Sequence, residues 1–248
     1  MKTILTFMML LFTSVSMADT ITLLNNGKAG GSYNARTQIY KEGLQAKGFT
    51  VVFENIGKIS QAVKMFKETS KPTIMVYSNN QVHLQDLYHD ENNFIMLEYQ
   101  QPLYICITNE AKIKGSNLKV AHGKGYDKNL IKSVLSNDIV LVPYKNSGAM
   151  LKGILGGDVD AMVNNQDISL KYMASGEGTC EVSEKLPIMM ATVIGTNVDL
   201  KSMREILFEI SLNKQFAHYH DTKKLDRSTD TWSIELLRVK ESERLWTK

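Results

Sequence analysis

Residues 142–165 read VPYKNSGAMLKGILGGDVDAMVNN, and this stretch restricts the fold more than any other. Val140, Leu141 and Val142 form an apolar β run, and Pro143, which cannot donate to a ladder, is expected to stop it. Asn146 or Ser147 is placed to cap the helix that follows. Ala149, Leu151, Ile154 and Leu155 give that helix an apolar face, Gly156-Gly157 ends it, and Val159, Ala161, Met162 and Val163 supply the next strand. The loop from Tyr144 to Ser147 thus sits at the carboxyl end of a strand and the amino end of a helix. Open α/β sheets bind ligands at such loops, because free backbone N–H groups point outward with a positive dipole behind them.

The same alternation runs through the chain. Residues 21–24, 50–53 and 73–77 read as strands, separated by helical spacing over 35–46 and by a helix over 61–68 that Ser60 can cap. Residues 94–97 and 103–108 read as strands around the turn Gln100-Gln101-Pro102. Beyond them, 118–121 reads as a strand, 128–135 as a helix, 167–175 as a helix and 179–182 as a strand. Residues 190–194 read as a return to the first part of the chain, 202–213 as a helix and 232–246 as a terminal amphipathic helix. Short strands alternating with helices predict parallel sheets with crossover helices.

Residues 1–18 are read as a signal peptide, with a buried amino-terminal helix as the alternative. Lys2 supplies a positive start, residues 4–12 are an apolar run too short to span a bilayer, and Ser16-Met17-Ala18 is a small-x-small cleavage site. Cleavage would leave Asp19 first. No Cys stands there, so a lipid anchor is not expected. The formal net charge of +3 is too small to imply nucleic acid. Cys106 and Cys180 can pair in an oxidising periplasm, or can both be small buried apolar residues. No serine-hydrolase elbow, phosphate-binding Gly-rich loop or H-E-x-x-H motif occurs. His218-Tyr219-His220-Asp221 is the one tight group of metal-capable side chains, and it lacks the further spaced ligands of a zinc site. No metal or cofactor is therefore expected.

Two motifs carry a resemblance. Val142-Pro143-Tyr144-Lys145, followed after the helix by Leu155-Gly156-Gly157-Asp158-Val159-Asp160, is similar to a "VPYKG…LLGG-VD" run. Gly30-Gly31-Ser32-Tyr33-Asn34-Ala35-Arg36, followed by Val51-Val52-Phe53-Glu54-Asn55, is similar to "GG-x-D-x-x-AR … VVVEN". Together, in this order, they resemble the substrate-binding proteins of tripartite tricarboxylate transporters, the Bug or TctC-like family. The resemblance covers most of the chain after residue 18 and weakens after about residue 195. It implies an α/β, type II periplasmic binding protein fold with two lobes, a mostly parallel sheet in each and a ligand cleft between. Lobe 1 is expected to comprise residues 19–103 and 196–248, and lobe 2 residues 104–195, with the terminal helix packed back onto lobe 1.

The function implied is capture of a small organic acid, di- or tricarboxylate-like, by hinge closure, and its delivery to integral membrane transporter subunits. The protein is expected in the periplasm as a monomer, without catalysis. Expected ligand contacts in lobe 1 are Gly30, Gly31, Ser32, Tyr33 and Asn34 in the first loop, Lys58 after the second strand, and Ser78 and Asn79 after the third. In lobe 2 they are Gly123, Lys124 and Tyr126 in a Gly-rich loop, Tyr144, Asn146 and Ser147 at the next helix start, and Asn165 after the following strand. Tight turns, a solvated Lys58 and half-buried tyrosines are the plain alternatives. Arg36 matches the pattern's Arg and ranks below the loop residues, since an ion pair within the lobe would also explain it. The chain departs from the pattern at Asn34, where Asp is frequent, at Ile56-Gly57-Lys58-Ile59-Ser60, at Lys71-Pro72-Thr73, and in its short tail. The rivals are a receptor for another ligand, such as an amino acid, serving sensing, and a secreted enzyme. The enzyme would need Ser32 or Ser147 paired with His122, which their spacing does not support.

Overall fold

The predicted alternation closes into two five-stranded sheets. The computed structural model describes residues 19–27, 32–123, 126, 128–136, 138–212 and 232–246. The first sheet holds β1 (Thr20–Asn25), β2 (Thr50–Asn55), β3 (Thr73–Ser78), β4 (Phe94–Gln101) and β10 (Met189–Thr196), in the order β2-β1-β3-β10-β4. The second holds β5 (Leu103–Thr108), β6 (Lys119–Gly123), β7 (Val140–Tyr144), β8 (Ala161–Asn165) and β9 (Gly178–Val182), in the order β7-β6-β8-β5-β9. In each sheet three neighbouring strands are parallel and two join antiparallel. The molecule is α/β and two-lobed.

The helices are α1 (Ser32–Ala46), α2 (Ile59–Glu68), α3 (Val82–Gln85) after a 3-10 turn (Asn79–Gln81), α4 (Asn109–Lys114), α5 (Lys128–Leu135), α6 (Ser147–Leu155), α7 (Gln166–Ser175), α8 (Leu200–Ser211) and α9 (Trp232–Trp246). The short α3 and α4 show too little periodicity to be read from sequence. Ser60 does not cap α2: Lys58 holds the cap position, extended and without a side-chain hydrogen bond. Asn146 does cap α6, its Oδ1 accepting from Ala149 N at 2.8 Å. Pro143 does not end β7. The strand pairs on through His122↔Pro143 and Gly123↔Tyr144, because β7 is the sheet edge among the described residues and Pro143 needs no donor on that side.

The sheets also correct the expected return point. β10, which a boundary at 195 would cut, pairs throughout with β3 and β4 of the first sheet, so the chain returns before Met189. The chain leaves one sheet by β4 into β5 and comes back by β9 into β10. The two crossings touch, with Ser183 N donating to Leu103 O at 2.9 Å.

Each lobe has its own apolar core. On one face of the first sheet, Leu23, Ile74, Val76 and Val193 pack with Tyr40, Leu44, Leu207 and Ile210 of α1 and α8. Gly43 lets those helices approach: a Cβ there would lie 2.5 Å from Ile210. In the second lobe, Met150, Ile154, Met162 and Tyr172 pack around Cys106. Cys106 and Cys180 stand opposite one another in the β5–β9 ladder and are joined as a disulfide. Among the described residues no helix is long and apolar enough to cross a membrane.

Candidate functional site

Strand direction decides where a site can lie. The crossings leave from the carboxyl ends of β4 and β9 and enter the amino ends of β5 and β10. β3 runs against β10, with Ser78 opposite Ala191, so its carboxyl end faces the crossings, and the parallel β1 and β2 bring Asn25 and Asn55 to the same edge. By the same reasoning β8 brings Asn165, paired with Leu103, to the facing edge of lobe 2, and β6 and β7 bring Gly123 and Tyr144. The carboxyl edges of both parallel sets therefore meet across the crossings. This is the position where α/β sheets collect ligand-binding loops.

In lobe 1 that edge is knit together by polar groups. Asn25 Nδ2 donates to Asn34 Oδ1 at 2.7 Å and to Asn55 Oδ1 at 3.0 Å, while Asn25 Oδ1 accepts from Gly27 N at 2.9 Å. Behind them Arg36 forms an ion pair with Glu98 at 2.5 Å, both side chains 0% exposed. Its guanidinium lies 4.7 Å from the Tyr33 ring centroid and 4.8 Å from that of Tyr99. Burial disfavours the cation, but Glu98 and the neighbouring tyrosines outweigh it and hold the guanidinium firmly charged. Burial likewise pushes the Tyr33 hydroxyl up, against Arg36 and a hydrogen bond with Ser78. Tyr33 thus meets the aqueous range as a neutral phenol.

Ser78 and Asn79 hold the return crossing. Ser78 Oγ donates to Met190 O at 3.1 Å. Asn79 Nδ2 donates to Ile188 O at 3.1 Å and to Ser242 Oγ at 2.7 Å, and its Oδ1 accepts from Met190 N at 2.9 Å. Its side chain is spent on the crossing and on α9. Lys58 is exposed at the start of α2.

In lobe 2 the expected contacts divide. Gly123 O accepts from Tyr126 N at 3.1 Å and from His122 Nδ1 at 2.8 Å. Tyr126 stacks on Trp246, centroids 5.5 Å apart at 28°, and feels Tyr33 and Tyr99 across the cleft. Burial raises its hydroxyl pKa well above the ordinary value. Tyr144 points away from the cleft. Its hydroxyl lies where a Cβ on Gly153 of α6 would sit, at 2.3 Å, and near Asp158 beyond that helix. Asn146 and Asn165 serve as helix caps, Asn165 accepting from Ile168 N at 3.3 Å, and Ser147 opens α6 at the cleft edge. Gly30, Gly31, Lys124 and the His218–His220 group lie outside the described residues. Ser32 is placed only as the first residue of α1. Among the described residues no cluster of three metal-capable side chains occurs.

Several cleft residues carry no motif. Tyr99 and Glu98 enter through β4. α9 lies along lobe 1: Glu235 Oε2 accepts from Leu97 N at 3.2 Å and pairs with Arg204, and Glu243 pairs with the buried ring of His89, whose Nε2 meets Thr192 Oγ1 at 2.5 Å. Its last turn then carries Trp246, 1% exposed, into the core of lobe 2 beside Leu103 and Val120. The spacing of Glu235, Val239, Ser242 and Trp246 marks one helix face, a signal visible in the sequence although half of it is polar. An apolar recess of about 400 Å³ lies away from the cleft, between α8, β4 and the start of α9, and none of the expected ligand contacts line it.

Solved structures share this arrangement. A periplasmic transporter matches with a TM-score of 0.66 at 14% identity, over 94% of this chain and 96% of that one. The fold is that of the two-lobed periplasmic binding proteins. A TctC solute-binding protein from Polaromonas matches with a TM-score of 0.61 at 11% identity, over 93% of this chain and 98% of that one. MatC from Rhodopseudomonas palustris, solved with bound malate, matches with a TM-score of 0.58 at 14% identity, over 94% and 98%. No family model and no curated protein sequence matches the chain.

Proposed function

We propose that this chain is a periplasmic solute-binding protein of the Bug or TctC-like type. It captures a small di- or tricarboxylate-like acid between its lobes and delivers it to the membrane subunits of a tripartite tricarboxylate-type transporter. The observation that carries the reading is the meeting of two parallel-strand carboxyl edges, each with a helix start, across a double crossing. Backbone N–H groups at the starts of α1 and α6 suit carboxylate oxygens. The two-motif resemblance and the malate bound by the similar MatC support an organic acid as the ligand. Closure follows the ligand's preference for the state in which both edges touch it. The signal peptide at residues 1–18 accounts for export. No covalent step is needed: His122 Nδ1 donates to Gly123 O, and among the described residues no hydroxyl reaches its ring as a nucleophile would.

Thermal shift of residues 19–248 against di- and tricarboxylates, aromatic acids, amino acids and sugars tests the reading. A ligand that binds only the folded state raises the melting temperature by mass action. A shift confined to carboxylates supports acid transport, and a shift with amino acids alone replaces it with the receptor reading.

A further inference from the structure

The recess between α8, β4 and the start of α9 joins apolar walls to an incompletely paired cation. Met96, Leu97, Leu200, Phe208 and Trp232 line it, and its volume of about 400 Å³ lies in the range that holds small ligands. Arg204 of α8 and Glu235 of α9 form an ion pair in the same wall. Glu235 Oε2 is shared, accepting from Leu97 N at 3.2 Å and from Arg204 Nη2 at 3.3 Å. Arg204 thus meets this carboxylate through one long hydrogen bond, where a guanidinium fork can make two. Its side chain is only 17% exposed, and its Nη1 is buried with no hydrogen-bond partner among the described residues. Burial pushes the guanidinium pKa down and Glu235 only partly opposes this, yet arginine stays charged at neutral pH. The guanidinium carbon lies 5.9 Å from the Trp232 ring centroid, so the cation and an aromatic ring border one space. A buried N–H of a cation is costly to leave without an acceptor, and its natural complement is an anionic oxygen.

We propose that this recess is a second ligand site, separate from the cleft, for an amphipathic monocarboxylate. Its apolar body lies against Leu200, Phe208 and Trp232, and its carboxylate accepts from Arg204 Nη1. The rim sets the charge of the ligand. Glu91, Glu205 and Lys201 line the recess and are exposed, two carboxylates against one ammonium. A second carboxylate on the ligand would meet those acids and the apolar walls, so the site rejects the polyacids expected in the cleft. An apolar cation suits the rim but leaves Nη1 without an acceptor and places like charge beside Arg204. A neutral alcohol gives Nη1 an oxygen without a charge, and so binds less well. None of the expected cleft contacts takes part, so the site stands whether or not the cleft holds an acid.

The test is calorimetric titration of residues 19–248 with octanoate, octan-1-ol, suberate and octylammonium, which share a chain length and differ in charge. Octanoate is expected to bind about tenfold tighter than octan-1-ol, the worth of a charge-assisted hydrogen bond in a buried setting, and tighter than the other two. Arg204→Met, which keeps an apolar stem and removes the charge, should lower octanoate affinity about tenfold, to that of the alcohol, and leave the alcohol's affinity unchanged. Leu200→Trp, which fills the recess, should abolish binding of both. Thermal melting shows whether each variant is folded, and if Arg204→Met is not, Leu200→Trp decides. Equal affinities for octanoate and octan-1-ol, octanoate binding that survives Leu200→Trp, suberate or octylammonium binding as tightly as octanoate, or no octanoate binding at all overturns the proposal.

Discussion

The two lobes follow one plan and are secured in different ways. Position by position, β2-β1-β3-β10-β4 corresponds to β7-β6-β8-β5-β9, and each lobe lends the other an inner antiparallel strand through the crossings. Lobe 1 is held by the buried Arg36–Glu98 ion pair, by the contact of His89 with Glu243, and by α9. Lobe 2 is held by a covalent tie between β5 and β9. The equivalent strand ends differ in the same way. Asn25, at the end of β1, finds all its partners inside its own lobe, whereas His122, near the end of β6, keeps a nitrogen unmatched.

This contrast can be broken at four points. The largest effect is expected at Glu98. Glu98→Ala removes the carboxylate paired with the buried Arg36 guanidinium and should cost about 3–5 kcal/mol in urea unfolding. The apolar double replacement Arg36→Met with Glu98→Leu should recover most of that loss, since neither charge is then left buried alone. A loss from Glu98→Ala as small as that of a surface pair would mean lobe 1 does not depend on this contact. Replacing Cys106 and Cys180 together by alanine should cost about 2–4 kcal/mol. Hydrogen exchange should show the weakening first in β9, at the edge of the second sheet, with the first sheet keeping its protection. Exchange rising equally in both sheets would show the lobes to be one cooperative unit.

Capping offers a smaller comparison. Asn146→Ala removes the α6 cap and should cost about 1 kcal/mol. Ser60→Ala should change the melting temperature little, because α2 starts without a side-chain cap. The smallest signal concerns pH. The folded-state pKa of His122 lies below its ordinary value of 6.5, so on acidification the unfolded chain takes up that proton first and stability falls. The urea midpoint should decline as the pH falls through the ordinary value of 6.5, and His122→Gln should flatten part of the decline. Identical pH curves for the two proteins would remove the penalty assigned to burial of this ring.

α9 touches both lobes despite their different fastenings. Its polar face binds lobe 1 through Glu235, Ser242 and Glu243, and its final Trp246 enters the core of lobe 2. Asn79, expected at the ligand, bonds both this helix and the return crossing. A lone Asn after a strand reads equally well as cleft lining or as structural tie, and nothing within a few residues of it tells the two apart. Tyr144 teaches the same point. Its position in the motif places it at a loop, while the direction of its side chain depends on Gly153, nine residues on and one helix face away.

The family resemblance implied the two lobes; the residues by themselves determined the alternation of strands and helices, a cap at Asn146 or Ser147, and the bounds of α5 and α9. These follow from hydrophobic spacing and from Gly, Pro and Asn signals that act within a few residues of chain. Only the tertiary structure decided that β10 belongs to the first sheet, that Cys106 faces Cys180, that Arg36 finds Glu98 62 residues away, and that His89 finds Glu243 154 residues away. Such pairings depend on which buried groups must be matched once the layers close, and that is a property of the packed molecule rather than of any local pattern.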